Sequence, residues 1–155
     1  MGFTSFAGRV LFSAIFIFAA WQRVIDFGQD GGSTLKAMKP KFALLRNHIT
    51  SLGVSPPEVE LKYLLMAGIA LEGVGGILFT LGTSLGAYLL IFFLSVATPI
   101  MHDFYNYDIS SQEYVTEFTQ FLKNLSLVGG LIFFLGMKNF AAKNSKRKGV
   151  KAKAN

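Results

Sequence analysis

Charged residues inside or beside apolar segments are the first candidates for chemistry in this sequence. Glu72 stands in the middle of one apolar run, and Arg9 interrupts the start of another. Four further polar residues fall where two such runs end: Arg23, Asp26, His102 and Asp103. An ionisable group within a bilayer costs about 3 kcal/mol on insertion scales, so it requires a partner or a route to water. These six residues are the predicted polar interior or ligand site.

Each of these charged groups can be interpreted either as structural or as functional. Glu72 either stabilises helix packing, protonated or hydrogen-bonded across a bundle, or carries protons or a ligand in a cavity. Arg9 is its predicted partner, at a depth difference of roughly 8 Å, or else extends to lipid headgroups. The His102–Asp103 pair beside Arg23 either transfers protons or binds a polar headgroup, or else belongs to an interfacial band of anchoring residues.

Composition excludes several classes of chemistry. The chain has no cysteine and only two histidines, which excludes disulfides, zinc–thiolate sites, iron–sulfur clusters and thiol nucleophiles. It contains no nucleophile–base motif, phosphate loop or metal signature, so we expect no catalytic residue, no metal and no cofactor, and enzymatic activity is not the favoured interpretation. The net charge of +6 is concentrated in the last eighteen residues, which is typical of a membrane-topology signal, and no nucleic-acid partner is expected.

Hydropathy predicts that the chain crosses a bilayer four times. Of its 155 residues 52% are hydrophobic and 15% charged, whereas soluble domains average about 25% charged. Spans of near 20 apolar residues are predicted at about 3–25, 61–81, 85–101 and 118–137. The first could instead be a secretory signal peptide. Small residues in the second span are predicted to admit a neighbouring helix closely: Gly68, Gly73, Gly75 and Gly76.

The connections between these spans carry their own signals. Residues 34–53 form an amphipathic pattern, predicted to lie in the membrane interface or to cap the bundle, with Pro40 splitting it or starting its main part. Ser55 to Glu58 predicts a helix start, and Ser110 with Glu113 predicts a cap for a helix beginning near Gln112. The short turn at 82–84 predicts a hairpin of the second and third spans.

The predicted fold class is therefore all-α: an integral membrane four-helix antiparallel bundle over residues 1–137, with an interfacial amphipathic helix between the first two spans. A basic tail, 138–155, is predicted to be disordered. The positive-inside rule places both termini in the cytosol. Lys151 and Lys153 match the Lys-x-Lys-x-x form of a retrieval signal read by the coat machinery, which predicts the endoplasmic reticulum membrane.

Three stretches carry a resemblance to a known family. Gly8-Arg9 entering a Phe-rich span, Glu72-Gly73, and the stretch from Thr98 to Tyr105, which includes His-Asp-Phe, resemble the plant HR-like lesion-inducing proteins. That family is similar to the DoxX-like membrane group and to the surfeit-locus cargo receptors. The resemblance covers about residues 1–140. It implies a four-helix membrane bundle and an association with hypersensitive-response cell death.

The resemblance leaves three functional hypotheses. The favoured one is a non-catalytic membrane protein that acts in defence and cell death through membrane or secretory protein partners or cargo. The DoxX-like side implies a redox or quinone-associated protein in which Arg9, Glu72 and His102 line a polar interior, although the lack of cysteine opposes a redox role. The third hypothesis is a transporter of protons or a small molecule that uses Glu72.

Overall fold

The computed structural model describes residues 2–153, with side chains described as far as residue 147. Its helices are α1 (Phe3–Phe27), α2 (Gly32–Ser51), α3 (Leu61–Thr80), α4 (Ser84–Met101) and α5 (Gln112–Lys153), with a 3₁₀ turn at Phe104–Asn106 between α4 and α5. The described chain has no strand. The all-α bundle predicted from the sequence is confirmed.

Four of these helices, α1, α3, α4 and α5, are long and apolar enough to cross a membrane. They pack as antiparallel neighbours in the order α1–α3–α4–α5, around a core formed by Phe16, Phe79, Ala87, Leu90, Leu94, Leu131 and Leu135. Large apolar side chains also cover the outside: Leu11 is 77% exposed and Phe133 is 70% exposed. An apolar outer surface of this extent suits lipid rather than water, so the chain is a multi-pass membrane protein.

The two ends of the bundle differ in what covers them. At one end, called here the turn end, α3 and α4 are joined by the tight turn around Gly82, which has φ +80°. Lys138 of α5 donates to the Gly82 carbonyl over 2.6 Å. At the other end, the α2 end, α2 lies against α1, α3 and α4. These contacts show that the amphipathic segment packs onto the bundle.

Several local predictions were wrong. α2 continues through Pro40 without a break. The Ser55–Glu58 stretch starts no helix, and α3 begins only at Leu61, because a residue before proline is disfavoured in the helical region and Pro56 precedes Pro57.

At the start of α5 the predicted cap was displaced by one residue. Ser111 Oγ, not that of Ser110, accepts the Tyr114 amide at 3.1 Å, while the amide and hydroxyl of Ser110 bond to Asp108. Those two hydrogen bonds lower the pKa of the exposed Asp108 carboxyl. The tail was also predicted wrongly, since residues 138–147 continue α5 as helix.

Candidate functional site

An ion pair between α1 and α3 lies near the middle of the bundle. Arg23 Nη1 donates to Glu72 Oε2, and the Glu72 side chain is only 5% exposed whereas that of Arg23 is 30% exposed. α1 approaches α3 closely here, since a Cβ on Gly73 would lie 3.4 Å from the Cβ of Ala20. A charge-assisted hydrogen bond compensates part of the cost of burying the carboxylate.

The pair corrects the predicted partnership between Arg9 and Glu72. Arg9 lies at the turn end, where a Cβ on Gly82 would collide with its guanidinium. The register of α1 against α3 explains the difference, because the hydroxyls of Ser13 and Thr80 meet at 2.6 Å. In this register, the point on α1 that lies level with Glu72 is about twelve residues from Arg9. That separation corresponds to roughly 18 Å of helix rise.

A second polar group at the α2 end is centred on Lys41 of α2. Its Nζ donates to the Met101 carbonyl at 2.8 Å and to Glu117 Oε1 at 2.8 Å, and it lies 3.0 Å from Asp103 Oδ1. Glu117 Oε2 in turn lies 3.0 Å from His102 Nδ1. This Lys41 network therefore joins α2 to the end of α4 and to the start of α5.

Electrostatics keep the centre of the network charged. Burial opposes the charged form of Lys41, but the hydrogen bonds to Glu117 and Asp103 outweigh it and raise the pKa of Lys41 above its ordinary value. Asp103 itself is almost fully buried, and Asn106 donates to its other carboxylate oxygen at 3.1 Å. An arrangement of this kind holds three chain segments together, because Lys41 lies within ion-pair distance of both carboxylates.

Sequence reasoning missed Lys41 and Glu117. The available signal was spacing: Lys41 lies three residues after Met38 and four before Leu45, which places it on the apolar face of α2 and not on the other faces. The predicted group of Arg23, Asp26, His102 and Asp103 is divided between separate contacts in the structure. Arg23 bonds to Glu72, whereas His102 and Asp103 belong to the Lys41 network.

Asp26 has a local role at the junction of α1 and α2. Its Oδ2 accepts the amide and the hydroxyl of Ser33, each at 2.7 Å, and the Thr34 amide at 3.3 Å. A carboxylate at the first turn of a helix satisfies amide groups that have no partner within the helix. Gly32, with φ +70°, allows this return of the chain because a Cβ there would collide with Asp26.

The glycines predicted for packing lie on different faces of α3. A Cβ on Gly75 would be 3.0 Å from Leu90 of α4, and one on Gly76 would be 3.0 Å from Ile17 of α1. Gly68 is less confined, with the Phe93 ring 3.5 Å from its Cβ position. The closest approach between the backbones of α3 and α4 is at Gly86, which was not among the predicted packing residues and lies against the backbone of Phe79.

Two cavities meet at Arg23. The first, called here the apolar slot, holds about 280 Å³ between α3 and α4, from Leu64 to Leu71 and from Phe92 to Met101, with α2 at one end. The second, called here the polar cleft, lies between α1 and α2 and is lined by Gln22, Asp26 and Ser33 among others. Arg23 and Thr34 line both cavities.

The described residues contain no group of three or more histidine, aspartate or glutamate side chains that could hold a metal ion. A protein-family model described as HR-like lesion-inducing matches residues 1–137. The chain belongs to this family. No curated protein and no solved structure matches the chain closely enough to add a further relative.

The matched range places all of the polar groups described above inside the HR-like lesion-inducing region. It contains the Arg23–Glu72 pair, the Lys41 network and both cavities, and it ends just before Lys138. At the level of the family, the chain is thereby associated with lesion formation and cell death. Lys151 and Lys153, the predicted retrieval signal, lie beyond the match, and their side chains lie outside the described part of the chain.

Proposed function

We propose that this protein resides in the membrane of the endoplasmic reticulum with both termini in the cytosol. We further propose that it promotes defence-related cell death by binding membrane or secretory protein partners and not by catalysing a reaction. One observation carries this proposal. The charged side chains of the Arg23–Glu72 pair and of the Lys41 network bond to one another or to the backbone, and these bonds connect neighbouring helices.

The rest of the surface also favours a binding role. The outer faces of the spans carry exposed aromatic and aliphatic side chains such as Phe18 and Trp21, which are available to lipid or to the spans of another protein. Basic residues recur along the end of α5, and their excess there supports a cytosolic C-terminus. Recognition of the Lys-x-Lys-x-x ending by the coat machinery would also require that side of the membrane.

Location is tested by comparing two double variants with the same loss of charge. Lys151→Ala with Lys153→Ala removes the retrieval signal, and Lys143→Ala with Lys146→Ala leaves it intact. We expect only the first to move from the reticulum to the Golgi or cell surface in fluorescence microscopy. Equal distribution of both variants would show that the ending is not a signal.

Partners are tested by proximity labelling from the C-terminus, with mass spectrometry of the labelled proteins. We expect reticulum membrane proteins or secretory proteins to be enriched over a control protein of the same membrane. Labelling restricted to another organelle would overturn the proposed location and the partners together. Protease protection of tags at each terminus tests the topology separately, and tags in different compartments would refute the four-span arrangement.

One observation favours a second candidate, transport of protons or a small polar molecule. The polar cleft leads to Arg23, which is partly exposed and bonded to Glu72. If transport is the function, Glu72→Gln abolishes flux in proteoliposomes while the protein still elutes as a folded species. Undiminished flux in that variant would exclude a carrier role for the carboxylate.

A further inference from the structure

We propose that the apolar slot between α3 and α4 binds one acyl chain of a membrane glycerolipid, and that Arg23 donates a hydrogen bond to the uncharged ester carbonyl at the head of that chain. The inference does not depend on the cell-death role or on the location proposed above. It joins three observations: the size of the slot, its apolar lining, and its junction with the polar cleft.

Size limits the occupant to a single chain. The slot holds about 280 Å³, slightly below the range of roughly 300–1,000 Å³ that encloses a drug-sized ligand. Its walls extend for about 10 Å along α3 and about 13 Å along α4, taking a rise of about 1.5 Å per residue. A narrow, elongated cavity of this length suits one chain better than a bulky ring system or a complete two-chain lipid.

The position of the slot determines what can enter it. Both walls belong to helices that cross the membrane, and Phe92, at 60% exposure, lies at its outer edge. Water is excluded from such a flank, so the molecules that reach it are lipids. Gly68 and Ala97 line the slot, and larger side chains at these two positions would fill it.

Arg23 supplies the polar end of the site. A guanidinium offers five N–H donors, and in the described part of the chain only Nη1 of Arg23 forms a hydrogen bond, to Glu72. Arg23 lines both the apolar slot and the polar cleft, and its side chain is 30% exposed. An oxygen at the head of a chain bound in the slot would therefore have an accessible guanidinium donor beside it.

Charge selects an uncharged oxygen for that position. The positive charge of Arg23 is already balanced by Glu72, and the Asp26 carboxylate lines the same polar cleft. An anionic head, such as the carboxylate of a free fatty acid, would face two carboxylates in a medium of low dielectric constant. An ester carbonyl accepts the hydrogen bond without that repulsion.

The experiment uses a photoreactive, clickable fatty acid that cells incorporate into their glycerolipids. The full-length protein is irradiated in the membrane and purified, and the labelled residues are mapped by mass spectrometry. Gly68→Leu and Ala97→Leu each fill the slot. Gly129→Leu is the matched control, because a Cβ at Gly129 on α5 has no neighbour within 4 Å.

We expect the wild-type label to concentrate on the slot between Phe92 and Met101. Displacing about two methylene groups from the site predicts about a tenfold loss of label in Gly68→Leu and Ala97→Leu. Gly129→Leu retains the wild-type level, and all folded variants elute together in detergent. If Gly68→Leu does not fold, Ala97→Leu gives the result alone.

Two outcomes would overturn the proposal. Label spread evenly over the outer faces, unchanged in the filled variants, would mean that only surrounding bilayer lipid was captured. Native mass spectrometry of the unlabelled protein identifies the occupant independently. A glycerolipid adduct that is lost in Ala97→Leu supports the proposal, whereas a fatty acid, sterol or isoprenoid adduct lost in that variant refutes the assigned head group.

Discussion

Replacement of the buried ion pair gives the sharpest test of the site. Glu72→Gln and Arg23→Gln each remove one charge and leave its partner facing a neutral amide. Removing one member of a buried pair costs about 3–5 kcal/mol. Because the Arg23 side chain is 30% exposed, we expect the lower end, about 3 kcal/mol for each single variant.

The double variant separates pairing from independent losses. With both residues changed to glutamine no unpaired charge remains, so we expect a total loss of about 4 kcal/mol, not about 6, and a coupling free energy of about 2 kcal/mol. The free energy of unfolding would be measured by reversible denaturation of the purified protein in mixed micelles.

Arg9→Gln provides the matched control, since it makes the same change in the same helix. Arg9 lies at the turn end, far from Glu72, so its loss should add to that of Glu72→Gln within about 0.5 kcal/mol. Strong coupling of Glu72 to Arg9, together with additive losses for Arg23, would refute the α1–α3 register described above.

Three further predictions follow from the ends of the bundle. Lys41→Ala should release α2 and speed amide hydrogen exchange in residues 32–51 severalfold, while Lys39→Ala, on the exposed face, should leave that exchange unchanged. Because the pKa of Lys41 is raised, its stabilising effect is complete below the ordinary lysine pKa of 10.5 and should be lost as the pH rises through the higher folded-state value. A pH titration of the same exchange, with Lys41→Ala as the reference, measures this. Gly86→Ala should destabilise the hairpin by about 2 kcal/mol, because its Cβ meets the Phe79 backbone. Gly136→Ala, in open space, should not reduce thermal stability, and equal melting temperatures for both glycine variants would contradict the close approach.

Sequence periodicity and length were sufficient to predict the helical class and the order of the long helices, because a span must satisfy its backbone internally and bury about 20 apolar residues. The short turn at Gly82 likewise predicted the α3–α4 hairpin. These features depend on local composition, which one sequence displays directly.

The partner of Glu72 could not be obtained in the same way. It depends on how far α1 is displaced along α3, and that displacement follows from contacts such as Ser13 with Thr80 and Gly76 with Ile17. A sequence shows which residues are small or polar, but not which of several registers packs best. Lys41 could not be assigned from its charge either, because a lysine on the apolar face of α2 needs partners from α4 and α5 that only the packed structure brings to it.

The helical continuation of α5 changes how the end of the chain is presented. At a rise of about 1.5 Å per residue, the 42 residues of α5 extend for about 63 Å, roughly twice the hydrocarbon thickness of a bilayer. Beyond Lys138, which is anchored to the hairpin turn, about 22 Å of helix project as a stalk. Such a stalk holds residues 143–147 at a set distance from the hairpin turn, whereas a random coil would sample a wide range of distances from it. Lys143 and Arg147, one turn apart, share one side of it, so a soluble receptor would meet a charged edge of defined direction.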